Sequence, residues 1–292
     1  MYRTLSWHNI PTAKTLFIMI FMAGIGLIIS IVALLYLSLH LISSKTNEID
    51  EHRSALSVQG AIETSVTRVS SLVIDNAVWD DAVREVYSPR LDTQWLYNTW
   101  GAGFKINNLY DGTFVLDEKF NVIWGSFQSQ PFNETNLDFF GNGLKALIDQ
   151  HRRALSSDKN IYAGITRTRN GVAFVGIGLV RPMIGRLQVN GDTRRYLVIT
   201  RHLNDKILSD LGETFQIDNL NYTADKINNL SMPLHSSAGE LLGYLNWQAR
   251  LPGAQAARAA SSDITHIVVL AAALILLFIL VSSVGLYKLA RG

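Results

Sequence analysis

The stretch "IYAGITRTRNGVAFVGIGLVRPM", Ile161–Met183, reads as two β-strands folded back at Asn170-Gly171. An Asn-Gly pair between apolar runs is among the strongest short-range hairpin signals, because both residues tolerate the positive φ of a tight turn. Upstream, "GTFVLDEKFNVIWGS" (Gly112–Ser126) gives another hairpin, turning at Asp117 to Asn121. Between the two, "NLDFFGNGLKALIDQHRRAL" (Asn136–Leu155) has the spacing of a helix that ends before "SSDKN". Downstream, "RRYLVITRHL" (Arg194–Leu203) is a strand rich in β-branched residues. "NDKILSDLG" then forms a short helix, with Asn204 to cap its start and Gly212 its end. "INNLSMPLHSSAGELLGYLNWQ" (Ile227–Gln248) adds a last pair of strands with "SSAG" at the bend.

Ahead of the sheet region the period is helical. From Ser43 the chain is polar but helix-competent, with no glycine before Gly60 and no proline before Pro89. Ile62, Val66, Val69 and Val73 are spaced as the seam of a helix packing against a partner. A stalk helix running through Tyr87 is therefore expected, and its unpartnered seam predicts a homodimer. The aromatics Trp95, Tyr97, Trp100, Phe104 and Tyr110 follow in an irregular or helical connector. The class is α+β: a long N-terminal stalk helix and an antiparallel sheet of five to seven strands with helices on one side.

Both ends of the chain leave water. "TLFIMIFMAGIGLIISIVALLYLSLHLI" (Thr15–Ile42) and "ITHIVVLAAALILLFILVSSVGLY" (Ile264–Tyr287) contain no charged residue. Each exceeds the ~20 apolar residues that cross a ~30 Å hydrocarbon layer. Arg3 and Lys14 precede the first, Lys288 and Arg291 follow the second, and no acid accompanies either pair. Positive flanks stay on the cytoplasmic side. The expected organisation is a cytoplasmic N-terminus at 1–14, a transmembrane helix at 15–42 and a periplasmic domain at 43–263. A transmembrane helix at 264–287 and a cytoplasmic stub at 288–292 complete it. The protein is thus expected in the inner membrane as a two-pass chain. With only five residues beyond Tyr287, any output module is expected outside this chain.

The 292 residues carry a formal net charge of +2, so no basic field for nucleic acid exists. There is no cysteine, which removes disulfides, thiolate metal sites and thiol catalysis. No two of the seven histidines stand at i, i+4, and no G-x-S-x-G turn, phosphate loop or dinucleotide fingerprint occurs. No catalytic residue, metal site or cofactor is expected.

The densest polar cluster is "DNAVWDD", Asp75–Asp81. On a continuous helix of 3.6 residues per turn, Asp75 and Asp81 fall on the flanks of the apolar stripe and can stay in water. Asn76 and Asp80 fall in its centre, and Trp79 at its edge. A carboxylate there must find donors, because unpaired buried charge is costly. Asp80 either accepts from backbone amides and locks the fold, or lines a site and binds a ligand. The ligand-binding set expected on this reasoning is Asn76, Trp79 and Asp80, walled by Tyr87, Trp95, Tyr97 and Trp100.

The same stretch opens a resemblance. "DNAVWDD", "WLYN" (Trp95–Asn98), "FVLDEKFNVIWGS" (Phe114–Ser126), "YAGI" (Tyr162–Ile165), "YLVITRHLND" (Tyr196–Asp205) and "GYLNWQARLPG" (Gly243–Gly253) follow one another as in the type-four CHASE domains. The resemblance covers roughly residues 47–253. It implies an extracytoplasmic sensory module of the Cache and PAS-like fold, set between two membrane helices. It also implies a place ahead of cyclic di-GMP synthases, phosphodiesterases or histidine kinases, and it supplies no ligand. The expected function is a sensor for an unknown small-molecule or protein signal outside the cell; the alternative is a membrane-tethered envelope scaffold.

Overall fold

Gly171–Leu179 (β5) is buried along nearly its whole length, as is Gly112–Leu116 (β1). Strands covered on both faces need a layer on each side. The structure, a computed structural model, describes residues 13–106, 108–157, 161–183 and 193–289. Its chain divides into two units, residues 53–249 and residues 1–52 with 250–292.

In the first unit, β5 and β1 belong to a six-stranded sheet. The others are Val122–Phe127 (β2), Gln130–Pro131 (β3), Ile161–Thr168 (β4) and Tyr196–His202 (β6). The order is β3-β2-β1-β6-β5-β4, and every neighbouring pair is antiparallel. Both expected hairpins form, β1–β2 across Asp117–Asn121 and β4–β5 with Thr168 opposite Gly171. Asp117 Oδ1 organises the first turn by accepting from the amides of Lys119 (2.9 Å) and Asn121 (2.7 Å).

One sheet face, with Val115, Phe174, Leu197 and Ile199, packs on Val69 and Val73 of Ala13–Ala77 (α1). The other, with Phe114, Val175, Ile177 and Val198, packs on Leu144, Leu147 and Ile148 of Gly141–Ser157 (α5). Helices therefore cover both faces, not one. The buried strands require it, since an uncovered face would leave a row of Val, Ile and Phe in water.

The stalk seam is a second correction. Val69 and Val73 are fully buried against their own chain's sheet. A Cβ on Gly176 of β5 would sit 2.9 Å from Val73 Cγ2 and 3.0 Å from Val69 Cγ1. Glycine lets the helix approach the strand that closely. The seam has found its partner within one chain, so it gives no argument for a homodimer.

The last strands leave the main sheet. Asn221–Thr223 (β7), Ser231–His235 (β8) and Leu241–Asn246 (β9) form a separate antiparallel sheet in the order β7-β9-β8. Its core joins Val58 and Ala61 of α1 to Leu208 of Asp205–Phe215 (α6), Leu245 and Trp247. The Ser236–Gly239 bend covers the free edge of β4: Ser237 N donates to Ile165 O at 2.8 Å. Such cover removes an edge that would otherwise pair with another chain. Asn204 caps α6 as expected, Oδ1 accepting from Ile207 N at 3.0 Å. The helix runs past Gly212 and closes at Gln216 in the left-handed conformation.

In the other unit, α1 and Pro252–Leu289 (α7) each hold a segment long and apolar enough to cross a membrane. Asn47 of α1 serves the start of α7, its Oδ1 accepting from the amides of Gly253 (2.9 Å) and Ala254 (3.3 Å). These are orphan donors at a helix N-terminus, and a side chain from a neighbouring helix satisfies them.

Candidate functional site

The stalk does not run through Tyr87. It stops at Ala77, and Trp79 is extended at φ −154° and ψ 131°. Val78 forms a parallel bridge with Arg181; Trp79 N donates to Arg181 O (3.1 Å), and Arg181 N donates to Ala77 O (3.0 Å). A second helix, Asp80–Val86 (α2), then begins with two acids in its first turn. Carboxylates are favourable there, beside unsatisfied amides and the positive end of the helix dipole. Val78 and Trp79 suit an extended backbone, so the break has a cause in both its halves. "DNAVWDD" is thus a helix end, a strand-like bridge and a helix start, and a single helical wheel does not apply to it.

Asp80 Oδ1 accepts from Met183 N at 3.0 Å. Asp81 pairs with Arg84 on the surface. Asn76 Nδ2 donates to Leu72 O, one turn back on its own helix, at 2.8 Å. Tyr87 spans two strand ends: its hydroxyl donates to Val180 O (2.9 Å) and accepts from Arg195 N (3.0 Å). Burial pushes the Tyr87 phenol above its ordinary pKa, against the opposing pull of the Arg195 amide.

The connector supplies the aromatic wall. Thr93–Leu96 (α3) is capped by Asp92, whose side chain accepts from Trp95 N at 2.9 Å. A π-helical turn, Tyr97–Gly101, and a short helix, Gly103–Ile106 (α4), follow. Ring centroids run from Trp79 to Trp95 (5.5 Å), on to Trp100 (5.7 Å) and on to Trp124 of β2 (6.5 Å). Such offset and edge-on pairs add to what area burial alone gives. Trp100 is fully buried, and its Nε1 has no hydrogen-bond partner among the described residues. Tyr97 leaves this group and reaches Ser129 O at 3.3 Å.

The structure therefore brings Trp79, Trp95 and Trp100 into one aromatic chain, with Asp80 and Tyr87 holding the backbone of Val180, Met183 and Arg195. Asn76 and Tyr97 stand apart. Trp124 belongs to the chain and was not expected, since nothing in a hairpin's own sequence says which connector lies over it.

Sequence reasoning also missed a buried polar cluster at the ends of β1 and β6. Asp111 accepts from His202 N (2.6 Å), His202 Nδ1 (2.9 Å) and Thr200 Oγ1 (3.1 Å). Thr168 Oγ1 lies 2.6 Å from His202 Nε2. Phe127 and Phe139 pack on the imidazole. The chain of hydroxyl, imidazole and carboxylate has the connectivity of a hydrolytic triad. All three residues are buried, and Thr168 is also engaged by Asn170 N at the hairpin turn, so the cluster joins strands. The relevant positions are 34 to 91 residues apart in sequence, a spacing that shows only after folding.

The periplasmic domain of Vibrio cholerae LuxQ is 14% identical, with a TM-score of 0.43, covering 68% of this chain and all of that one. A second crystal structure of that domain, with selenomethionine, gives 13% and 0.35 over 71% and 98% of the two chains. The ligand-binding domain of the Campylobacter jejuni chemoreceptor Tlp3, in complex with L-norvaline, gives 10% and 0.34 over 70% of each chain. No curated protein matches the chain. The family model of the CHASE4 domain matches residues 61–221, narrower than the 47–253 of the sequence resemblance. That match takes in more than half of the 292 residues, and the chain belongs to the CHASE4 domain family of extracytoplasmic sensory modules.

Proposed function

We propose that residues 53–249 receive a signal outside the cell and pass it through α1 and α7 to a cytoplasmic output, with cyclic di-GMP signalling as that output. The carrying observation is one of placement. The family match at 61–221 lies inside the 53–249 unit, and the chain on either side of that unit holds helices able to cross a membrane. In this reading the protein is a two-pass inner-membrane sensor with residues 43–263 in the periplasm, and not an enzyme. The signal, a small molecule or a protein, meets the aromatic chain of Trp79, Trp95 and Trp100 beside Asp80 and Tyr87, with Asn76 and Tyr97 at its margins. The reading includes a homodimer, whose contacts would use the exposed α1 positions Leu56 and Ile74.

A fusion tests it. A diguanylate cyclase module joined after Gly292 should make cyclic di-GMP at a level that changes with Trp95→Ala and with deletion of residues 53–249. Equal output from all three chains, each present in the membrane at equal amount, would leave the envelope scaffold as the better reading.

A further inference from the structure

Away from the aromatic chain, residues of α1, α6 and the sheet line a cavity of about 120 Å³. Thr64, Arg68, Phe174, Arg201, Asp210 and Phe215 are among the residues that line it. Phe174 and Arg201 are direct cross-strand partners on β5 and β6, on the sheet face that α1 covers. Arg68 comes from α1, next to Val69, which meets that face, and Asp210 and Phe215 come from α6.

Two guanidiniums share this space with one carboxylate, that of Asp210. Among the described residues no ion pair joins Arg68, Arg201 or Asp210 to anything, and Arg201 Nε is shut off from solvent with no hydrogen-bond partner. Burial, and after it the charge of Arg68, pull the Arg201 guanidinium below its ordinary pKa, against the weaker attraction of Asp210 and Asp111. A half-buried cation beside a second cation is an unfavourable arrangement that an anion would relieve.

We propose that this cavity binds a small organic monocarboxylate, its carboxylate held by Arg68 and Arg201 and its apolar body against Phe174 and Phe215. Guanidinium forks match carboxylates in plane and spacing. Two cations against Asp210 leave one positive charge in excess, which fits a monoanion and disfavours a phosphate dianion. The volume is somewhat below the ~150 Å³ of an engineered cavity that takes benzene, so the ligand has roughly six non-hydrogen atoms. This goes beyond the sensory reading, which places its signal at the aromatic chain, and binding here can be measured without any output.

Thermal melts of the full chain in detergent micelles, with n-butyrate, n-butanol or inorganic phosphate added, test the proposal. Butyrate should raise the melting temperature in a saturable way, and butanol and phosphate should not. Arg68→Gln should weaken half-saturation by roughly tenfold or more, as loss of a charge-assisted hydrogen bond implies. Arg201→Gln should do the same, and Asp210→Asn should strengthen binding. Arg68 is exposed, so its variant keeps the test valid if Arg201→Gln does not fold. No butyrate shift, an equal shift with butanol, or a butyrate shift unchanged in Arg68→Gln overturns the proposal. A phosphate shift that needs the same arginines overturns the carboxylate class. Butyrate binding with a cyclase fusion unresponsive to butyrate would uphold this proposal and separate the cavity from the signal of the sensory reading.

Discussion

A carboxylate that is 7% exposed has given up most of its water, and Asp111 replaces that water with three donors: His202 N, His202 Nδ1–H and Thr200 Oγ1–H. An ionised carboxylate only accepts, so the imidazole must present a proton at Nδ1. Asp80 makes a simpler contact, with one amide, that of Met183. The consequences of removal differ accordingly. Asp111→Ala strands three donors and should cost about 3 kcal/mol or more, while Asp80→Ala strands one donor at a half-buried site and should cost about 1 kcal/mol. Denaturation of the full chain in detergent, followed by circular dichroism, gives both values. Asp80→Ala at least as costly as Asp111→Ala would show that the 180–183 junction, and not the Asp111 cluster, is the stronger lock. A near-normal melt for Asp80→Ala with loss of output in the cyclase fusion would return Asp80 to a ligand-binding role.

Two elements, α1 and β5, set the geometry of the 53–249 unit, because the close approach of one to the other places the part of α1 that belongs to that unit. Val69 and Val73 rest on Gly176, where a side chain has no room. Gly176→Val should therefore push the helix away and cost about 1–3 kcal/mol, the range for overpacking a filled core. Melts check this, with Gly60→Ala as the comparison: a Cβ there has Phe215 at 3.9 Å as its nearest neighbour, and helical alanine is preferred. An equal loss in both would mean that α1 and β5 are not tightly packed. The spacing of Ile62, Val66, Val69 and Val73 was enough to read a helix with one apolar face, because periodicity is local. What covers that face was not legible, since β5 lies about a hundred residues further on. The break at Val78 and Trp79 escaped notice in part for the same reason, since the backbone it pairs with is that of Arg181. Both hairpins, by contrast, were plain, for their turns are written in Asp117–Asn121 and Asn170-Gly171 themselves. Of the expected site, the tryptophans come together because they share one connector with α2, whereas Asn76 and Tyr97 each find a nearer backbone carbonyl.

At the scale of the whole chain, charge and hydropathy decide more than packing does. The two uncharged segments at Thr15–Ile42 and Ile264–Tyr287 coincide with helices long and apolar enough to span, within α1 and α7. Both helices extend past those segments, α1 to Ala77 and α7 from Pro252. Orientation rests on Arg3 and Lys14 at one end and Lys288 and Arg291 at the other, with no acid among them to offset the bias. In the proposed topology two crossings put residues 43–263 on the far side. Alkaline phosphatase, which is active only outside the cytoplasm, reads this directly. Inserted after Lys226, in the exposed loop between β7 and β8, it should be active; fused after Gly292 it should be inactive. The loop suits insertion because its residues are in water and its flanking strands belong to the smaller sheet, leaving the six-stranded core untouched. Activity at both positions would mean that α7 does not cross. Activity only after Gly292 would invert the topology, and with it every assignment of an outside signal to the aromatic chain or to the arginine-lined cavity.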